Sequence, residues 1–136
     1  MNVLLVIHSI NRWIILAIAI VTLARLVSAR ARSRSPVAAD LTWLRVYTAD
    51  LGLQVLIGLA YLIATGLGGV GFPRYRMEHA VIMLLAVAAG GVAQVLTKRG
   101  GRARSALSSG PALWAMVVSL ALIVIGVSLL PGGWRR

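Results

Sequence analysis

A chain of 136 residues that is 60% hydrophobic and only 12% charged lies far from soluble domains, which run about 45–50% apolar and about 25% charged. Its 14 Lys+Arg against 3 Asp+Glu give a formal charge of +11. The basic residues fall in the gaps between apolar runs, which signals membrane topology and argues against a nucleic-acid partner. With no cysteine, disulfides, thiolate metal sites, iron–sulfur ligation and covalent haem attachment are excluded.

Four apolar runs follow in order, each near the roughly 20 residues that a helix needs to cross the hydrocarbon core. The first spans about Val3 to Val27. No positive region precedes it and arginines follow it, so the expectation is an uncleaved first helix rather than a signal peptide. Arg30, Arg32, Arg34 and Pro36 mark a basic linker, and the second run covers about Leu41 to Leu67. Gly68-Gly69-Val70-Gly71-Phe72-Pro73 closes that run as a turn. The third covers about Met77 to Thr97, followed by Lys98, Arg99, Arg102 and Arg104. The fourth covers about Pro111 to Leu130 and stops at Pro131-Gly132-Gly133. Proline suits a first helical turn and glycine a helix end.

The first and third linkers, with Arg25 and Arg45 at their edges, carry nine Lys or Arg, against Arg74, Arg76, Arg135 and Arg136 elsewhere outside the helices. The positive-inside rule then places those two linkers in the cytoplasm and both termini outside. Trp43 and Trp114 fall at the inner interface and Trp134 at the outer one. Short linkers make successive helices antiparallel neighbours. The expected fold is an all-α, integral membrane, up-down four-helix bundle, one domain over residues 1–136, without internal repeat.

The first helix carries His8, Asn11 and Arg12 on one face, since residues three and four apart stack over each other. Polar and ionisable groups at membrane depth are costly and usually face a protein interior. The only other histidine, His79, begins the third helix, which runs parallel to the first. At about 1.5 Å of rise per residue, the two histidines differ in depth by roughly 5 Å. Imidazole suits iron, and facing helices of a bundle commonly build a cofactor site. His8 and His79 are therefore candidate axial ligands of one haem b, and two histidines allow at most one bis-histidine haem. The alternative places both in the headgroup region with no ligand.

Asp50, Gln54, Ile57, Tyr61 and Thr65 form a polar stripe on the second helix, with Gly58 beside it to admit a flat cofactor or another helix. Antiparallel pairing of the first two helices, with residue numbers summing to about 69, sets Tyr61 level with His8 and Gln54 slightly deeper than Arg12. Tyr61 then covers a haem edge or anchors at the interface. Arg12 pairs with a haem propionate, with the Asp50–Gln54 stripe, or with backbone carbonyls of a neighbouring helix. Asp50, expected about 10 Å below Arg12, is a relay acid, an ion-pair member or a neutral hydrogen-bonded group, with Gln54 as a bridge. Arg74 and Arg76 reach outward propionates or are solvated loop charges. On the third helix the His79 face continues through Met83, Ala86 and Gly90. The fourth, broken only by Ser119, Gly126 and Ser128, reads as a packing helix.

The segments HSINRW, QVLIGLAY and EHAVIM resemble a family of small four-helix bacterial membrane proteins described as cytochrome b-like. The resemblance covers the first three helices. Its recurring positions correspond to His8, Arg12, Trp13, Gln54, Gly58, Glu78 and His79. Asp50 stands farther from Gln54 than the family pattern has it, so the resemblance assigns it no role. What it implies is a multi-pass protein of the bacterial inner membrane with one haem b, transferring single electrons, with a larger redox complex or a homo-oligomer as partner. Quinone use stays open, and no catalytic constellation is visible. The alternatives are a cofactor-free accessory subunit of a respiratory or photosynthetic complex, and a small oligomeric transporter lined by Arg12 and Asp50.

Overall fold

The computed structural model describes residues 3–103 and 109–135; Arg104 and Arg136 of the basic linker and tail lie outside the described residues. Four helices make up the chain: α1 (Val3–Ala31), α2 (Ala38–Thr65), α3 (Arg74–Ala103) and α4 (Ser109–Ser128). All four are long and apolar enough to cross a membrane. A π-helical turn at Gly66–Val70 follows α2, and a 3-10 turn at Gly133–Arg135 follows α4.

Helices α1 and α3 run well past their apolar segments. Four residues beyond Val27 stay helical in α1, and α3 starts at Arg74 rather than Met77 and continues through the basic Lys98–Arg99 pair. Hydrophobicity limits what a bilayer accepts, whereas helix continuation depends on propensity, and Arg, Lys and Ala rank among the best formers. Among the described residues, the turns after α1 and α2 fall where the backbone takes positive φ. Ser33 takes a positive φ of 48° before Pro36, and Gly69 and Gly71 take φ of 100° and 71° after α2. The Phe72 ring folds back against the Cα of Gly66, a place any Cβ would occupy.

Successive helices pack against one another and α1 closes the ring on α4. Hydrogen bonds fix the register. Arg25–Asp40, Thr22–Trp43 and Asn11–Gln54 all join α1 to α2 at residue numbers summing to about 65, one turn from the expected 69. Thr48–Gln94 and Arg76–Thr65 tie α2 to α3, while His79–Gly126 and Ser119–Ala86 tie α3 to α4. Each neighbouring pair is thus antiparallel, and α1 and α3 run in the same direction.

The core is narrow and made of Ile15, Ala19, Leu26, Leu44, Tyr47, Leu51, Met83, Ala86, Ala93, Met116 and Ile123. Small residues on α3 let the helices approach closely, and the Tyr47 hydroxyl is satisfied by Ser119 at 2.7 Å. Ile10, Ile20, Leu56, Ile63, Val81, Leu85, Val118 and Ile125 point outward and exposed. So large an apolar exterior would drive aggregation in water and suits a lipid surround. At the end of the bundle far from His8 and His79, Asp40 is fully buried between Arg25 (2.9 Å) and Arg34 (2.7 Å). It also accepts the Val37 N–H that opens α2.

Candidate functional site

His8 sits in the second turn of α1, and His79 sits near the start of α3. Because these helices are parallel, both rings arrive at the same end of the bundle, with centroids 6.4 Å apart and planes at 77°. Both line one cavity of about 140 Å³, enclosed by all four helices and the segment after α4. Its walls are largely apolar, including Leu5, Leu59, Leu62, Met83 and Val127.

The α2 wall is shaped by Gly58. A Cβ there would stand 2.9 Å from Cε1 of His8, so only glycine lets the imidazole lie against the α2 backbone. One turn deeper, Gln54 Nε2 donates to the His8 carbonyl at 2.7 Å. That extra bond on the α1 backbone fixes where His8 stands along the bundle.

His79 is oriented from the opposite side. Its Nδ1 lies 2.7 Å from the Gly126 carbonyl on α4. A carbonyl only accepts, so Nδ1 carries the proton and Nε2 of the neutral ring keeps its lone pair. An N–H tied to a backbone carbonyl is the usual support of a metal-binding histidine. His8 Nδ1 has no partner among the described residues although it is buried, and a buried polar atom left in that state is costly.

The remaining residues singled out by sequence separate into three groups. Gln54, Gly58, Tyr61, Arg12 and Arg76 line the cavity with the histidines. Arg12 does not join the Asp50–Gln54 stripe. Its Nη1 donates to the Gly133 carbonyl at 3.1 Å, and its guanidinium lies between the rings of Trp13 and Trp134, 5.4 and 5.5 Å from their centroids. Adjacent helix positions point about 100° apart, so Asn11 faces the α2 stripe while Arg12 turns toward the segment after α4.

Asn11 Nδ2 donates to Asp50 Oδ1 and to Gln54 Oε1, both at 3.1 Å. The bridge between Asp50 and Gln54 is therefore Asn11, and Gln54 lies level with Asn11 rather than below Arg12. Arg74 faces outward and pairs with Glu78 at 2.6 Å, with 91% of its side chain exposed. It stands apart from the cavity.

One contributor escaped sequence reasoning. Gly126 acts through its carbonyl, which every residue possesses, so no sequence signal marks it. The sequence places Asn11 on the His8 face, and the structure adds its role as the bridge between Asp50 and Gln54. Among the described residues, no three His, Cys, Asp or Glu side chains gather. An ion held by protein side chains alone generally needs three or four donors. Two imidazoles suffice where the ligand brings its own equatorial donors, as a porphyrin does. Comparison of the chain with protein-family profiles, curated proteins and solved structures yields no match.

Proposed function

We propose that this protein is a membrane b-type cytochrome-like protein that holds one haem b between His8 and His79 for one-electron transfer. The observation that carries this reading is the pair of imidazoles facing one cavity at 6.4 Å. A metal–imidazole nitrogen bond of about 2 Å on each side of one ion, plus the half-width of each ring, separates ring centroids by roughly 6 Å. The protonated Nδ1 of His79 and the glycine wall at Gly58 support that reading. Bound there, haem supplies reversible one-electron chemistry at iron.

The chain's own residues set the conditions. Gly126 orients one ring, Gly58 makes room for the other, and Gln54 holds the His8 backbone in place. Ligand cavities for drug-sized molecules usually measure about 300–1,000 Å³, well above the 140 Å³ found here. Entry of a macrocycle therefore requires the leucines and Met83 on the walls to change rotamer, which is easiest for the unbranched, flexible Met83.

The distribution of Lys and Arg supports an orientation with this end of the bundle and both termini outside, and the resemblance implies the bacterial inner membrane. A single haem in one leaflet cannot carry an electron across, so a larger redox complex, a second copy of the chain or a quinone exchanges electrons with it. Arg12 and Asp50, the pair that a transport pathway would be lined by, are engaged separately by Gly133 and Asn11, and only Arg12 lines the cavity. Reduced-minus-oxidised spectra of wild type, His8→Ala and His79→Ala test the proposal. A b-type signal in wild type that is lost in both variants is expected. A signal that survives either substitution removes that histidine as a ligand.

A further inference from the structure

The chain has three acidic residues, and each already has a partner. Asp40 takes Arg25 and Arg34, Glu78 takes Arg74, and Asp50 accepts from Asn11. Arg76 is different. It lines the imidazole cavity, donates from Nη1 to Thr65 Oγ1 at 2.9 Å and lies over the Tyr61 ring at 5.5 Å. Among the described residues its partners are all neutral.

A guanidinium carries five N–H donors in a planar fork, and Thr65 takes one of them. Arg12 adds a second guanidinium to the same cavity, and no Asp or Glu lines it. A half-buried cation against an apolar wall is costly unless an anion meets it. With the Asp and Glu side chains engaged elsewhere, none of them meets Arg76, and the cavity is open to an anion that a ligand brings.

We propose that Arg76 is the carboxylate-binding residue of this cavity, and that its ligand is an apolar macrocycle carrying acid groups. This rests on the reading that the cavity takes a macrocycle, and it is independent of iron ligation. Thr65 and Tyr61 hold the guanidinium at the cavity wall, and its fork suits a carboxylate through two parallel hydrogen bonds.

The test uses the full chain in discs of zwitterionic phosphatidylcholine, as wild type, Arg76→Gln and Arg76→Lys. Metal-free protoporphyrin and its dimethyl ester are titrated and followed by fluorescence. Wild type is expected to bind the free acid at least about tenfold more tightly than the ester. Arg76→Gln should bring the acid down to the ester's level without changing the ester, and Arg76→Lys should recover part of the difference. Equal affinity for acid and ester in wild type, or a preference that Arg76→Gln leaves intact, overturns the proposal.

The same titration in discs containing phosphatidylglycerol separates a lipid source of the anion. A wild-type preference that falls there to the Arg76→Gln level assigns Arg76 to lipid headgroups and also overturns it. Iron protoporphyrin distinguishes this inference from the haem reading. Acid preference without a histidine-dependent low-spin spectrum sinks the ligation and leaves Arg76 in place, while such a spectrum without acid preference sinks only the role of Arg76.

Discussion

The two imidazoles meet because specific neighbours lack side chains. At Gly58 a methyl group would press on His8 at 2.9 Å, and overpacking of this kind costs about 1–3 kcal/mol. Gly58→Ala is therefore expected to turn the His8 ring and lower the b-type signal per protein several-fold. Gly91→Ala, where a Cβ meets nothing within 4 Å, serves as the comparator. It should leave the signal unchanged and raise thermal stability by about 0.5–1 kcal/mol, since glycine weakens a helix interior. Absorbance spectra and melting curves of the two variants, recorded side by side, check both expectations. Deeper in the core, Ser119 is fully buried between the Tyr47 hydroxyl and the Ala86 carbonyl. Ser119→Ala strands the Tyr47 hydroxyl without its partner and should cost about 1–3 kcal/mol, visible as a lower melting temperature with the spectrum intact.

Between elements, the α1–α2 register rests on polar contacts inside an apolar bundle. Apolar side chains pack almost as well one turn away, because a turn returns each helix face to nearly the same orientation. Polar partners discriminate. Asn11 joins Asp50 to Gln54, and Gln54 reaches the His8 carbonyl. Asn11→Ala removes a shared donor and leaves Asp50 Oδ1 unmet, beside an Oδ2 that has no partner among the described residues. Destabilisation by about 2 kcal/mol is expected, along with a perturbed His8 environment. Because the three side chains form one network, Asn11→Ala and Gln54→Ala should be non-additive in a double-mutant cycle. Additive losses would show that the contacts act independently. The resemblance pointed to Gln54 and Gly58, and the structure gives both a physical task against His8. Asp50 has Asn11 as its partner and lies outside the cavity.

Across the whole molecule, charge is distributed unevenly between the two ends. Asp40 neutralises part of the basic cluster at one end by holding Arg25 and Arg34, and this contact raises the Arg34 pKa above its ordinary value through the hydrogen bond to Asp40. Asp40→Ala removes both ion pairs and the bond to the first turn of α2. Its expected cost is about 2 kcal/mol, discounted because the arginines are about a third exposed. Orientation is accessible directly, because the chain has no cysteine. In intact cells an impermeant thiol reagent should label Arg135→Cys and spare Ser33→Cys until the membrane is opened. The reverse pattern would move the imidazole end to the cytoplasmic face.

The amino-acid sequence by itself determined the number of helices, their order, and the arrival of His8 and His79 at one end. Those properties follow from run length, from short linkers and from the parallel course of alternate helices, all of them local or topological. Only the tertiary structure decided that Asn11, not Arg12 or Gln54, meets Asp50, and that Arg12 ties down the segment after α4. The same holds for the Gly126 carbonyl that orients His79. Register between helices is settled by the polar partners that meet across interfaces, to within less than one turn. A backbone carbonyl carries no residue label at all, so its contribution emerges only once the helices are placed.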